Sequence, residues 1–111
     1  MLKWDETDFI ECLEVIPEVI EDSAGGPFHV FTVGKNGIEL EITVFSFEED
    51  VRFRLTRQGE NHSLFEYQIM GCKFVRFEKN ESDQEYLSFV NKDGLELTVS
   101  IHPDIQVLVS E

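Results

Sequence analysis

Five side chains hold the nucleophilic and metal-binding chemistry this sequence could use: Cys12, Cys72, His29, His62 and His102. None belongs to a His-x-x-x-His or Cys-x-x-Cys pair, and the two thiols lie far apart, so the spacing that marks a zinc site is missing. The expectation is two buried, reduced thiols and three ordinary histidines, with no metal and no cofactor. Gly71-Cys72-Lys73 does place a thiol beside an ammonium group, which lowers a thiol pKa, and His29 or His62 would then be the base of a Cys-dependent enzyme. No nucleophile elbow or helix start surrounds it, so the tripeptide reads instead as a tight turn entering a strand. Carboxylates are too abundant to single out an acid–base pair: with 23 Asp and Glu in 111 residues, neighbours arise by proximity alone. Glu48-Glu49-Asp50 and Glu81-Ser82-Asp83 lack the ligand spacing of a calcium loop, and Gly34-Lys35-Asn36-Gly37 lacks that of a phosphate loop. No catalytic residue is expected.

Charge is the more informative property. Nine Lys and Arg against 23 Asp and Glu leave a net charge of −14, which repels phosphate backbones and anionic lipid alike. Direct nucleic-acid binding and membrane binding are therefore not expected. The first residues lack the apolar stretch of a secretory signal, and two cysteines make no disulfide framework, so a cytoplasmic protein is expected. Residues 1–22 carry Asp5, Glu6, Asp8, Glu11, Glu14, Glu18, Glu21 and Asp22 against Lys3 alone. Between Arg52 and Arg76 the balance reverses, with Arg52, Arg54, Arg57, Lys73 and Arg76 against Glu60 and Glu66. The molecule reads as a dipole.

Two kinds of element must position these charges. In residues 1–22, Phe9, Leu13, Ile16 and Ile20 recur at helical spacing, with Glu11, Glu14, Glu18, Glu21 and Asp22 on the opposite side. Asp5 or Thr7 is placed to cap this acidic helix. The helix is expected to reach about residue 15, and Pro17 leaves open whether it then kinks and continues or stops. Trp4 has two places open to it, an anchor between helix and sheet or a frayed end. Beyond Ser23-Ala24-Gly25-Gly26-Pro27 the pattern changes to period two, as in Ile38, Leu40, Ile42 and Val44 alternating with Glu39, Glu41 and Thr43. Asn36-Gly37 and Asp93-Gly94 read as two-residue hairpin turns, with a further turn at Glu48-Glu49. These turns pair Phe31 with Ile42, Val44 with Phe53, and Leu87 and Phe89 with the polar set Thr98 and Ser100. The same register sets Arg52 and Arg54 to neutralise Glu39 and Glu41 across the sheet.

The expected fold is α+β: an N-terminal amphipathic helix on a curved antiparallel meander of about seven strands, closing toward a barrel. The chain reads as one domain, 1–111, with an acidic helical segment at 1–22 and sheet at 28–110. The favoured function is a non-enzymatic interaction protein whose residues Glu11, Glu14, Glu18, Glu21 and Asp22 dock a basic protein partner. That is the general manner of small bacterial immunity proteins and DNA mimics, such as an acidic domain occupying a nuclease's DNA cleft, though no motif ties the chain to a family. Arg52, Arg54 and Arg57 would contact an anion or a ligand. One alternative is a carrier with a pocket lined by Phe31, Phe53, Tyr67 and Phe77; the other is the Cys72 enzyme. Either a monomer or a homodimer paired through an edge strand fits the meander.

Overall fold

Asp5 starts the only helix among the described residues. In the computed structural model, which describes residues 1–21 and 26–110, its carboxylate accepts a hydrogen bond from the Thr7 N–H at 2.9 Å. Helix α1 spans Glu6–Leu13, with Glu6 and Asp8 at its positive end and Phe9, Cys12 and Leu13 buried. It stops at Glu14, which turns into the left-handed region at φ 60° while its N–H bonds to the Ile10 carbonyl. The helix thus ends close to the expected residue 15 and does not continue through the acidic segment to residue 22. Pro17 disfavours helical geometry at Ile16 and has no N–H to extend the ladder, so the chain leaves as a short strand, β1 (Glu18–Ile20).

Eight further strands follow: β2 (Phe28–Lys35), β3 (Ile38–Phe45), β4 (Asp50–Arg57), β5 (Ser63–Met70), β6 (Cys72–Lys79), β7 (Glu85–Asn91), β8 (Glu96–Ser100) and β9 (Gln106–Ser110). They make two antiparallel meanders, a five-stranded sheet in the order β1-β2-β3-β4-β5 and a four-stranded sheet β6-β7-β8-β9. The α+β class and the meander therefore hold, but among the described residues there are nine strands in place of about seven, and they do not close into a barrel. Gly71 is the reason for the division. At φ +69° it turns the chain from β5 into β6 in a single residue, and the meander restarts as a second sheet.

Turn geometry decides which side chains share a face. Asn36 and Gly37 both have positive φ, and the tight turn they make sets Phe31 opposite Ile42 and Val33 opposite Leu40, as expected. The next hairpin is shorter by two residues than the pattern suggests. Its loop closes between Phe45 and Asp50, with Glu49 left-handed, so Ile42 faces Phe53 and Glu41 faces Arg54. A shift of two preserves the faces.

The β7–β8 turn departs by one residue, which does not. Gly94 (φ +86°) follows a turn closed by the Gly94 N–H on the Asn91 carbonyl, the pattern of a type I turn with a glycine bulge. Leu87 therefore faces Val99 and Phe89 faces Leu97, not Ser100 and Thr98. All four are fully buried.

The core lies between the two sheets and under the helix. Phe53 of the five-stranded sheet meets Phe89 of the four-stranded sheet edge-on at 4.9 Å, and Phe9 of α1 meets Phe89 at 5.6 Å. Trp4 anchors the helix to the sheet, packing edge-on against Phe9, His29 and Phe31. The residues before the helix also strap the sheets together. Leu2 donates its N–H to the Ser46 carbonyl in the β3–β4 loop, while Lys3 bonds Lys73 and Val75 along β6.

Candidate functional site

Burial governs the chemistry of both thiols. Cys12 and Cys72 are both free and buried. Burial, with the carboxylates of Glu85, Glu11 and Glu14 adding to it, pushes the Cys12 thiol up to about 12. Burial, more than the nearby Glu49 carboxylate, pushes Cys72 up to about 11. Lys73 does not activate its neighbour because its ammonium group is turned onto the Glu49 carboxylate at 3.3 Å. That contact in turn holds the Glu49 carboxyl below the usual carboxylate range.

The histidines are dispersed. His29 Nε2 lies 2.9 Å from Glu6, His102 lies between Lys35 and Glu14, and His62 is exposed in the β4–β5 loop. Among the described residues, no group of three or more His, Cys, Asp or Glu is placed to hold a metal.

The leading carboxylates do not share one helical face. Glu11 is exposed on α1, and Glu14 ends the helix and reaches His102 Nε2 at 3.0 Å. Glu18 stands on β1, and Glu21 is exposed just beyond it. Asp22 lies outside the described residues. The early end of the helix thus splits the expected docking face into separate pieces.

What the fold does bring together is the outer face of the five-stranded sheet, the side turned away from the core. An open groove of about 760 Å³ crosses all five strands there. Its side chains follow from strand parity: Glu18 and Ile20 on β1, Phe28 and Val30 on β2, Glu41, Thr43 and Phe45 on β3, Arg52 and Arg54 on β4, and Glu66 and Gln68 on β5. Phe28 and Phe45 pack ring to ring at 4.8 Å and form its apolar part.

Arg52 and Arg54 are both in this groove, but they do not neutralise Glu39 and Glu41. Arg52 lies over the Phe45 ring and donates through Nε and Nη2 to Asp50, which also accepts from Gln68 at 3.1 Å. Arg54 donates to Ser63 Oγ at 2.8 Å and the Asn61 carbonyl at 3.1 Å, with Glu66 at 3.7 Å. Arg57 is exposed at the end of β4, outside the groove lining. Among the described residues Glu18, Glu39 and Glu41 form no ion pair. Of the proposed carrier pocket, Phe31 and Phe53 are core residues and Phe77 belongs to β6 in the other sheet. Only Tyr67 is both outside the fully buried core and at the groove.

No family model matches the sequence, and no curated protein matches it. The fold does have a counterpart. The structure is similar to a chain of a contact-dependent growth inhibition toxin–immunity protein complex from Klebsiella pneumoniae 342, with a TM-score of 0.80 at 14% identity. The match covers 97% of this chain and 95% of that one. At that identity the likeness is one of fold.

Proposed function

We propose that this chain is a non-enzymatic binding protein of the immunity or inhibitor type, docking a basic protein partner in the cytoplasm. The observation that carries the reading is the end-to-end likeness to a chain of a toxin–immunity complex. Charge supports the inhibitor side of such a pair: at −14 on 111 residues, the protein attracts a basic surface from beyond contact distance. Buried thiols held near 11 and 12 support a role without nucleophilic catalysis.

The groove volume of about 760 Å³ favours a second reading, a small-molecule carrier, because pockets for such ligands run to about 300–1,000 Å³. The open, charge-lined face argues against it, since carrier sites bury most of an apolar ligand.

The test is genetic and direct. The adjoining gene is expected to encode a basic toxin domain, and co-expression of this chain is expected to restore growth to that of an uninduced culture. Growth arrest that persists with the chain expressed, or a neighbouring gene with no toxin domain, would reject the proposal.

A further inference from the structure

We propose that the partner docks in the groove on the outer face of the β1–β5 sheet and places a lysine or arginine side chain against Glu41; this rests on the reading of the chain as a binder of a basic protein. Glu41 sits near the middle of the sheet, flanked across the strands by Thr32 and Arg54. Arg54 is its natural counter-ion by register, yet the guanidinium is turned away to Ser63, Asn61 and Glu66. A half-buried carboxylate is thereby left without an ion pair among the described residues. An incoming cation would meet it where water is partly excluded, so the attraction exceeds that of an exposed surface pair.

The same commitments exclude an anion as the occupant. Arg52 spends Nε and Nη2 on Asp50 and its face on Phe45, so neither arginine presents an open fork to a phosphate or carboxylate. Glu18 at one side and Glu39 beside Glu41 extend the negative field. The face therefore complements positive charge.

Apolar contact supplies the rest of the site. Phe28, Val30 and Phe45 form part of the floor. Two large apolar side chains stand exposed near the Phe45 end, Phe47 at 56% in the β3–β4 loop and Met70 at 71% opposite Asp50. Aromatic and Met anchors beside a desolvated charge are the usual composition of an interface centre. The occupant is thus a segment of a basic protein carrying a Lys or Arg next to an apolar side chain.

Titration calorimetry with the purified toxin domain of the adjoining gene tests this. Glu41→Gln is expected to weaken binding about tenfold or more, and Met70→Ala severalfold. Asp93→Asn, the same charge change at the β7–β8 turn in the other sheet, is expected to stay within about twofold of wild type. Circular dichroism and melting temperature confirm that each variant is folded, and Met70→Ala removes a side chain with little burial. Wild-type affinity for both Glu41→Gln and Met70→Ala would overturn the groove while leaving the function intact. So would a loss confined to Glu11→Gln and Glu21→Gln, which would return docking to the leading segment. Absence of any wild-type binding would overturn the function and this site with it.

Discussion

Replacing Phe89 with alanine is expected to destabilise the protein by about 3–5 kcal/mol, a large part of the roughly 5–15 kcal/mol that holds a domain folded. Phe89 is fully buried, and its ring is the point where three layers meet. It packs edge-on against Phe53 of the five-stranded sheet at 4.9 Å and against Phe9 of α1 at 5.6 Å. Truncation loses the transfer energy of the ring and leaves a cavity that two sheets and a helix must all shift to fill. It also removes two aromatic pairs, each contributing about 0.5–1.5 kcal/mol beyond area burial. Urea denaturation measures the effect as a lowered midpoint. Leu64→Ala, on the exposed side of β5, should move it by less than about 0.5 kcal/mol. Equal midpoints for the two variants would mean that the sheets do not share a core.

Alkaline pH is the second strong lever. In an unfolded chain both thiols ionise near their ordinary value of 9.0, whereas in the fold they are held up to about 12 and about 11. Between those values the folded state binds the proton more tightly than the unfolded state does. The stabilisation is therefore complete below pH 9 and is lost as pH rises toward 11 and 12. Each thiol removes about 2 kcal/mol by about pH 10.5, so melting temperature should hold to about pH 9 and fall steeply above it. The Cys12→Ala, Cys72→Ala double variant should show a distinctly flatter pH profile, whatever its stability at pH 8. A double variant as pH-sensitive as wild type would show that the thiols do not govern the transition. The same burial predicts that neither thiol reacts with a mild alkylator in the native protein below pH 8.

Much of this architecture is legible in the residues, and the failures have specific physical causes. Period-two alternation marks β3, β4 and β8 most clearly, and Asn36-Gly37 sets its hairpin register correctly because both residues accept positive φ. Asp93-Gly94 misled because an Asp-Gly pair serves two turns that differ by one residue. The glycine bulge was the one adopted, and a one-residue slip moves Leu87 and Phe89 from the polar side to the core. Strand β1 escaped notice because three residues inside an acidic run show no alternation. Strand β9 escaped because Val107, Leu108 and Val109 are consecutive apolar residues on an edge.

The acidic helix ends at Glu14, close to the expected residue 15, though the left-handed conformation that ends it has no pattern signal. Once the helix stops there, Glu18 belongs to a sheet face and the carboxylates no longer form one stripe. The groove itself was half legible: strand parity puts Glu41 and Arg54 on one face. That Arg54 turns to Ser63 and Asn61 depends on the β4–β5 loop, whose geometry no local pattern encodes.

Electrostatic docking of a basic protein is the central claim, and the salt dependence of association tests it most directly. Stopped-flow mixing of this chain with the proposed basic protein partner should give an association rate that falls at least about tenfold between roughly 50 mM and 500 mM NaCl, as steering is screened. Dissociation, governed by the contacts within the groove, should change much less. An association rate indifferent to salt would contradict the account.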